Sequence, residues 1–270
     1  MAQNPDNDLG SAMAISGAAA STNMGWQSMA NFRFWMGLMN IRLGYWLLHP
    51  KAKIHIKALE GPGLAYLYKE IFGKMKETDR YLNLSDGGHI ENLAAYELLR
   101  RRCKFIVCVD GGQESGMECA DLIRLQRYAG IDLGIRMEYD ISDLKLDTNR
   151  LCRAYAILVK IIYQEPNRQN PDWATAELGW MLYIKLAVTG TEPPYVTDYR
   201  RTNPDFPHQT TADQFFDEAQ FEAYRMLGEC AAENLFRDEL IGDVTPNTLE
   251  DWFQALANNL LPDNDVVFKT

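Results

Sequence analysis

Two short runs in this 270-residue sequence put chemistry-bearing side chains at a fixed spacing: Ser85-Asp86-Gly87-Gly88-His89 and Asp110-Gly111-Gly112. In each, an aspartate closes an alternating or apolar segment, YLNLS at 81–85 and FIVCV at 105–109, and two glycines follow. The pattern predicts a strand that ends in a sharp turn. Catalytic groups in open α/β sheets gather at the carboxyl ends of strands. Paired glycines let the backbone bend and let another group approach the carboxylate closely. A helix starting just beyond would favour the ionised form, and burial would oppose it. A carboxylate held in this way can take a proton from a nearby hydroxyl. It can equally do no more than cap the helix that follows. Local pattern chooses neither between these roles nor between Asp86 and Asp110.

Other patterns are incomplete. His89 and Glu91 form an H-x-E, but the downstream P-C-x-x-C that completes a zinc deaminase site is missing. His89 is expected instead to hydrogen-bond near the turn or to line the mouth of a site. The five cysteines contain no CxxC pair and are odd in number, so neither a zinc nor a disulfide signature is present. A reducing compartment is the simpler expectation. There is no Walker loop, and Gly61-x-Gly63 lacks the third glycine of a dinucleotide fingerprint. No metal or cofactor is therefore expected. No Gly-x-Ser-x-Gly occurs. Ser16, in AISGA, lacks the first glycine and has alanine for the last. Ser85 neighbours Asp86 on one strand, and adjacent strand residues point to opposite faces.

Positioning falls to a strand–helix–strand–helix run over 80–138. Its predicted helices are Ile90–Arg102, with Ala94, Ala95, Leu98 and Leu99 on one face, and 117–130; a short strand follows near Ile135–Met137. That order predicts a parallel, helix-covered sheet. Further strands are predicted at 151–163 and 180–187, joined by a polar loop. Helices are predicted at 63–76, within the apolar stretch 26–48, after a cap at Thr210 or Thr211, and at 248–260. The helix after 210 should bury Phe216, Ala219, Ala223, Met226 and Cys230. Stretch 26–48 is broken by Arg33, Asn40 and Arg42 and falls short of a membrane span. A 47% hydrophobic content supports a sizeable core, and a net charge of −10 argues against general nucleic-acid binding. The polar, acidic N-terminus lacks the order of a secretory signal, and the first ten residues read as a frayed leader.

The run YLNLSDGGHIENLAAYELLRRRCKFIVCVDGG resembles the patatin-like and cytosolic phospholipase superfamily around its catalytic aspartate. Bacterial patatin-like proteins are also similar in AMAISGAAASTNMG (12–25), RLGYWL (42–47) and FPHQTTADQFFDEAQFEAYRMLG (206–228). The resemblance implies an α/β, three-layer fold with a mostly parallel sheet, of which residues 1–270 form the C-terminal portion. It implies that Asp86 is the acid of a Ser-Asp dyad, with Gly87, Gly88 and His89 lining the site, and that Asp110 falls on a second aspartate outside the dyad. The chain departs from the pattern at Ala94 and Gly111, and more seriously in lacking the nucleophile elbow. The expectation is a lipid acyl hydrolase part acting on a phospholipid or lysophospholipid without a metal or other cofactor. It would be inactive alone and completed by an N-terminal segment carrying the serine, in a cytoplasmic or membrane-associated whole protein. The competing expectation is a non-catalytic remnant that binds a protein or membrane surface through 26–48.

Overall fold

The computed structural model describes residues 9–16, 44–49, 62–164, 176–210, 215–237 and 246–260. The chain divides into two compact units, Met1–Ala94 and Ala95–Thr270.

The first unit contains α1 (Leu9–Ser16), β1 (Tyr45–Leu48), α2 (Gly63–Ile71) and β2 (Tyr81–Leu84). β1 and β2 pair antiparallel, with Tyr45 opposite Leu84 and Leu48 opposite Tyr81. The end of the stretch expected to be partly helical is therefore a strand, because its aromatic and aliphatic side chains find a cross-strand partner. The rest of that stretch lies outside the described residues. Tyr66 of α2 meets Trp46 and Tyr81 edge-on at 5.6 and 5.4 Å, fixing the helix to the ribbon. α2 stops before the predicted 76 because Gly73 takes a φ of 62°, and the Phe72 and Gly73 N–H groups turn back to the carbonyls of Tyr68 and Glu70.

In the second unit, α3 (Tyr96–Arg100) is a short remnant of the helix predicted over Ile90–Arg102. Left-handed backbone at Ala94 (φ 54°) and Arg102 (φ 54°) flanks it, and a helix does not continue through such residues. The main sheet has the order β3 (Phe105–Asp110), β6 (Glu177–Lys185), β5 (Ala156–Gln164), β4 (Arg136–Glu138). Only β3–β6 is parallel; β5–β6 and β4–β5 are antiparallel. The expectation of a mostly parallel sheet is thus corrected to a mixed one. β5 and β6 are consecutive strands that pair directly, which reverses the chain between them. Among the described residues the partner of β2 is β1.

β5 is buried from Ala156 to Tyr163, so both faces of the sheet are covered at this strand. On one face, Leu158, Trp180 and Leu182 pack against Phe253, Leu256 and Ala257 of α7 (Leu249–Leu260), and Phe105 stacks on Phe253 at 4.8 Å. Along β3, Ile106, Cys108 and Asp110 point inward, while Val107 and Val109 lie outward and exposed. Helix α4 (Ala120–Tyr128) buries Leu122 and Leu125 and runs on into a π turn at Ala129–Leu133. Helix α5 (Pro194–Thr202) occupies what reads as a Pro-rich connector, with Pro194 as its first residue, where a missing N–H costs nothing. Helix α6 (Glu218–Leu235) is capped by Asp217, whose side chain accepts from the Gln220 N–H, rather than by Thr210 or Thr211. It buries Ala223 as expected, but otherwise Gln220, Leu227, Ala231 and Leu235 in place of Ala219, Met226 and Cys230, and leaves Phe216 exposed. Among the described residues, no helix is long and apolar enough to cross a membrane.

Candidate functional site: two Asp-Gly-Gly turns

Both aspartates stand where the sequence puts them, at the carboxyl ends of strands, and their local geometry is the same. Gly88 N–H donates to Asp86 Oδ1 at 2.8 Å, and Gly112 N–H donates to Asp110 Oδ1 at 2.8 Å. Neither glycine pair has positive φ, so a left-handed bend is not what selects these residues. Close approach is. A Cβ at Gly88 would come within 3.1 Å of Asp86 Oδ1 and 2.6 Å of Asn92 Oδ1, and one at Gly112 within 3.0 Å of Asp110 Oδ1. Gly87 has open space around it, so the second glycine of the turn carries the requirement.

The surroundings separate the two carboxylates. Asp110 is buried, and its Oδ2 accepts from Lys185 Nζ at 2.8 Å and from the Tyr183 hydroxyl. Lys185 sits directly opposite Asp110 in the β3–β6 register. Its side chain is 1% exposed and also reaches Glu114 Oε2 at 3.2 Å and the Gly112 carbonyl at 3.5 Å, which engages all three of its N–H donors. Burial pulls the Lys185 ammonium down, yet the two carboxylates outweigh it and hold its pKa above the ordinary value. Burial, then Asp110, pushes the Tyr183 hydroxyl far up. Glu114 goes on to cap α4, accepting from the N–H groups of Cys119 (3.1 Å) and Ala120 (2.7 Å). His208 closes the loop from the other side, its Nδ1 accepting from Glu114 N–H at 3.4 Å. Asp110 is thereby consumed as the anchor of a buried ion network, a structural role.

Asp86 is half-buried, and among the described residues its carboxylate is bonded only to the Gly88 N–H. It caps a single 3-10 turn, Gly87–His89, in place of the long helix that was expected to add positive potential. The side chain caps the turn through Oδ1, and Oδ2 takes no bond from any described residue. His89 is buried, with Nδ1 3.3 Å from Ser85 Oγ, so Ser85 turns to the imidazole. Glu91 accepts from the Leu93 N–H. No group of three or more His, Cys, Asp or Glu among the described residues is arranged to hold a metal ion. Ser16 closes α1, a helix end with none of the strand-to-helix elbow that exposes a hydrolase nucleophile.

The network of Glu114, Tyr183, Lys185 and His208 was not anticipated. One signal existed: a single lysine inside the apolar run WMLYIKLA, in a segment read as a strand. A scan against protein-family models found no match, and searches of the curated proteins and of solved structures each returned no similar chain.

Proposed function

We propose that this chain is the C-terminal part of a patatin-like lipid acyl hydrolase and supplies the carboxylate of a Ser-Asp dyad, Asp86. The observation that carries the reading is the contrast between two locally identical turns. One aspartate is locked to a buried lysine and a tyrosine, and the other keeps an uncommitted carboxylate oxygen at a strand end. An aspartate saturated by Lys185 is a poor proton acceptor, because protonating it strands a buried ammonium. Asp86 bears no such penalty. In the proposed reaction a serine hydroxyl, contributed by a segment outside these 270 residues, attacks the ester carbonyl of a phospholipid or lysophospholipid while Asp86 takes its proton. The leaving alcohol takes that proton as the acyl-enzyme forms. Asp86 then activates the water that releases the fatty acid. A three-layer patatin-like arrangement would require the described mixed sheet to be the edge portion of a larger one.

A fluorophosphonate probe, which labels activated serines, tests the assignment on the chain itself. The expected result is no labelling of the isolated chain and no hydrolysis of a lysophospholipid. Specific labelling of Ser16 or Ser85 would overturn the proposal. In a longer polypeptide that carries the serine elbow, Asp86→Asn is expected to lower turnover at least about 10³-fold without unfolding the protein, within the range seen when a dyad or triad member is lost.

A further inference from the structure

We propose that Arg150 and Arg200 of the second unit form a phosphate-binding subsite. They line a shallow cleft open to solvent, together with Ser115, Met117, Asp205 and His208. Arg200, near the end of α5, donates through Nη2 to the carbonyls of Arg150 (2.6 Å) and Asn149 (3.4 Å). Arg150 donates through Nη2 to the Ser115 carbonyl at 3.5 Å. Those bonds tie each side chain to a loop carbonyl but neutralise neither. No described residue accepts from the Nε–H or the Nη1 hydrogens of either guanidinium, and no described carboxylate pairs with them.

Acidic residues outnumber basic ones, and the net charge is −10. Several other arginines of the same unit take carboxylate partners: Arg102 with Glu177, Arg124 with Asp121, Arg225 with Glu222, and Arg201, the very next residue, with Asp198. Two candidate partners near the cleft do not neutralise it. Asp147 spends Oδ1 on the N–H groups of Asn149 and Leu151, both at 2.8 Å, and Asp205 forms an ion pair with neither arginine. Two forked cations lining one cleft, with unspent donors, match the charge of a phosphate dianion. A phosphate could belong to a lipid headgroup or to a small soluble molecule, and the chemistry of recognition is shared. The inference does not depend on the role of Asp86.

Calorimetric titration of the 270-residue chain at constant ionic strength tests it, with inorganic phosphate, glycerol 3-phosphate and glycerophosphocholine as probes. One saturable site is expected, weakened at least about tenfold in Arg150→Asn and in Arg200→Gln, the loss of one charge-assisted contact. Asparagine is chosen at 150 because the residue has a φ of 59°, a conformation asparagine tolerates. Arg200→Gln also removes the bonds to two loop carbonyls. Circular dichroism checks its fold, and Arg150→Asn decides the question if Arg200→Gln unfolds. Arg201→Gln, outside the cleft lining, should bind like the parent. Affinity for glycerophosphocholine assigns the site to a headgroup; affinity for phosphate and the monoester alone assigns it to a soluble phosphate. Absence of saturable binding, undiminished binding in Arg150→Asn, or an equal loss in Arg201→Gln overturns the proposal.

Discussion

At the scale of single residues, what a carboxylate can do is decided by what else touches it. Asp110→Asn should cost about 3–5 kcal/mol, because it removes one half of a buried ion pair and leaves the ammonium of Lys185 with Glu114 alone. Asp86→Asn keeps an oxygen for the Gly88 N–H and should shift stability by less than about 0.5 kcal/mol. Urea unfolding of the two variants side by side checks the contrast. His208 makes a pH prediction. Burial, then the nearby Lys185, holds its pKa below the ordinary 6.5, against weaker opposing pulls from the Gly112 carbonyl and the carboxylates of Glu114 and Asp110. The unfolded chain therefore binds the proton more readily than the folded one, and stability is lost as pH falls from about 6.5 through the depressed folded value. The protonated ring also can no longer accept from the Glu114 N–H. Melting temperature should decline over that acid window in the parent and decline less in His208→Asn.

Elements show where sequence reading succeeded and where it met its limit. β3, β6 and α7 were legible because their apolar runs are long, bounded and periodic. The helix expected over Ile90–Arg102 failed because nothing in an alanine or an arginine announces a left-handed φ at positions 94 and 102. Two prolines hid α5, since Pro at a helix start and Pro in a connector look alike in a sequence. The sheet's handedness of pairing was lost for a similar reason. The pattern marks a strand but not its neighbour, and Asp110 could not be told from Asp86 because the lysine that distinguishes them lies 75 residues further along the chain. Close packing between elements also yields a test. A Cβ at Gly179 on β6 would sit 2.6 Å from Tyr163 Cε2 and 3.1 Å from the Cys103 carbonyl, so Gly179→Ala should destabilise by about 1–3 kcal/mol, readable as a lower urea midpoint.

For the molecule as a whole, the second unit holds its own core between sheet and helices, anchored by Trp180, Phe253 and Leu256. Residues 95–270 expressed alone should unfold in one cooperative transition, and coincident fluorescence and circular-dichroism melts would check it. Among the described residues β3 ends the sheet order, and on one of its faces Val107 and Val109 are 53% and 66% exposed. Among the described residues no strand pairs with the far side of β3, and a strand edge beside exposed aliphatic side chains is a template onto which a second copy can stack. Turbidity of the purified protein should therefore grow with concentration even at modest salt. A lysine in place of Val107 would put a charge on the template while leaving the interior untouched.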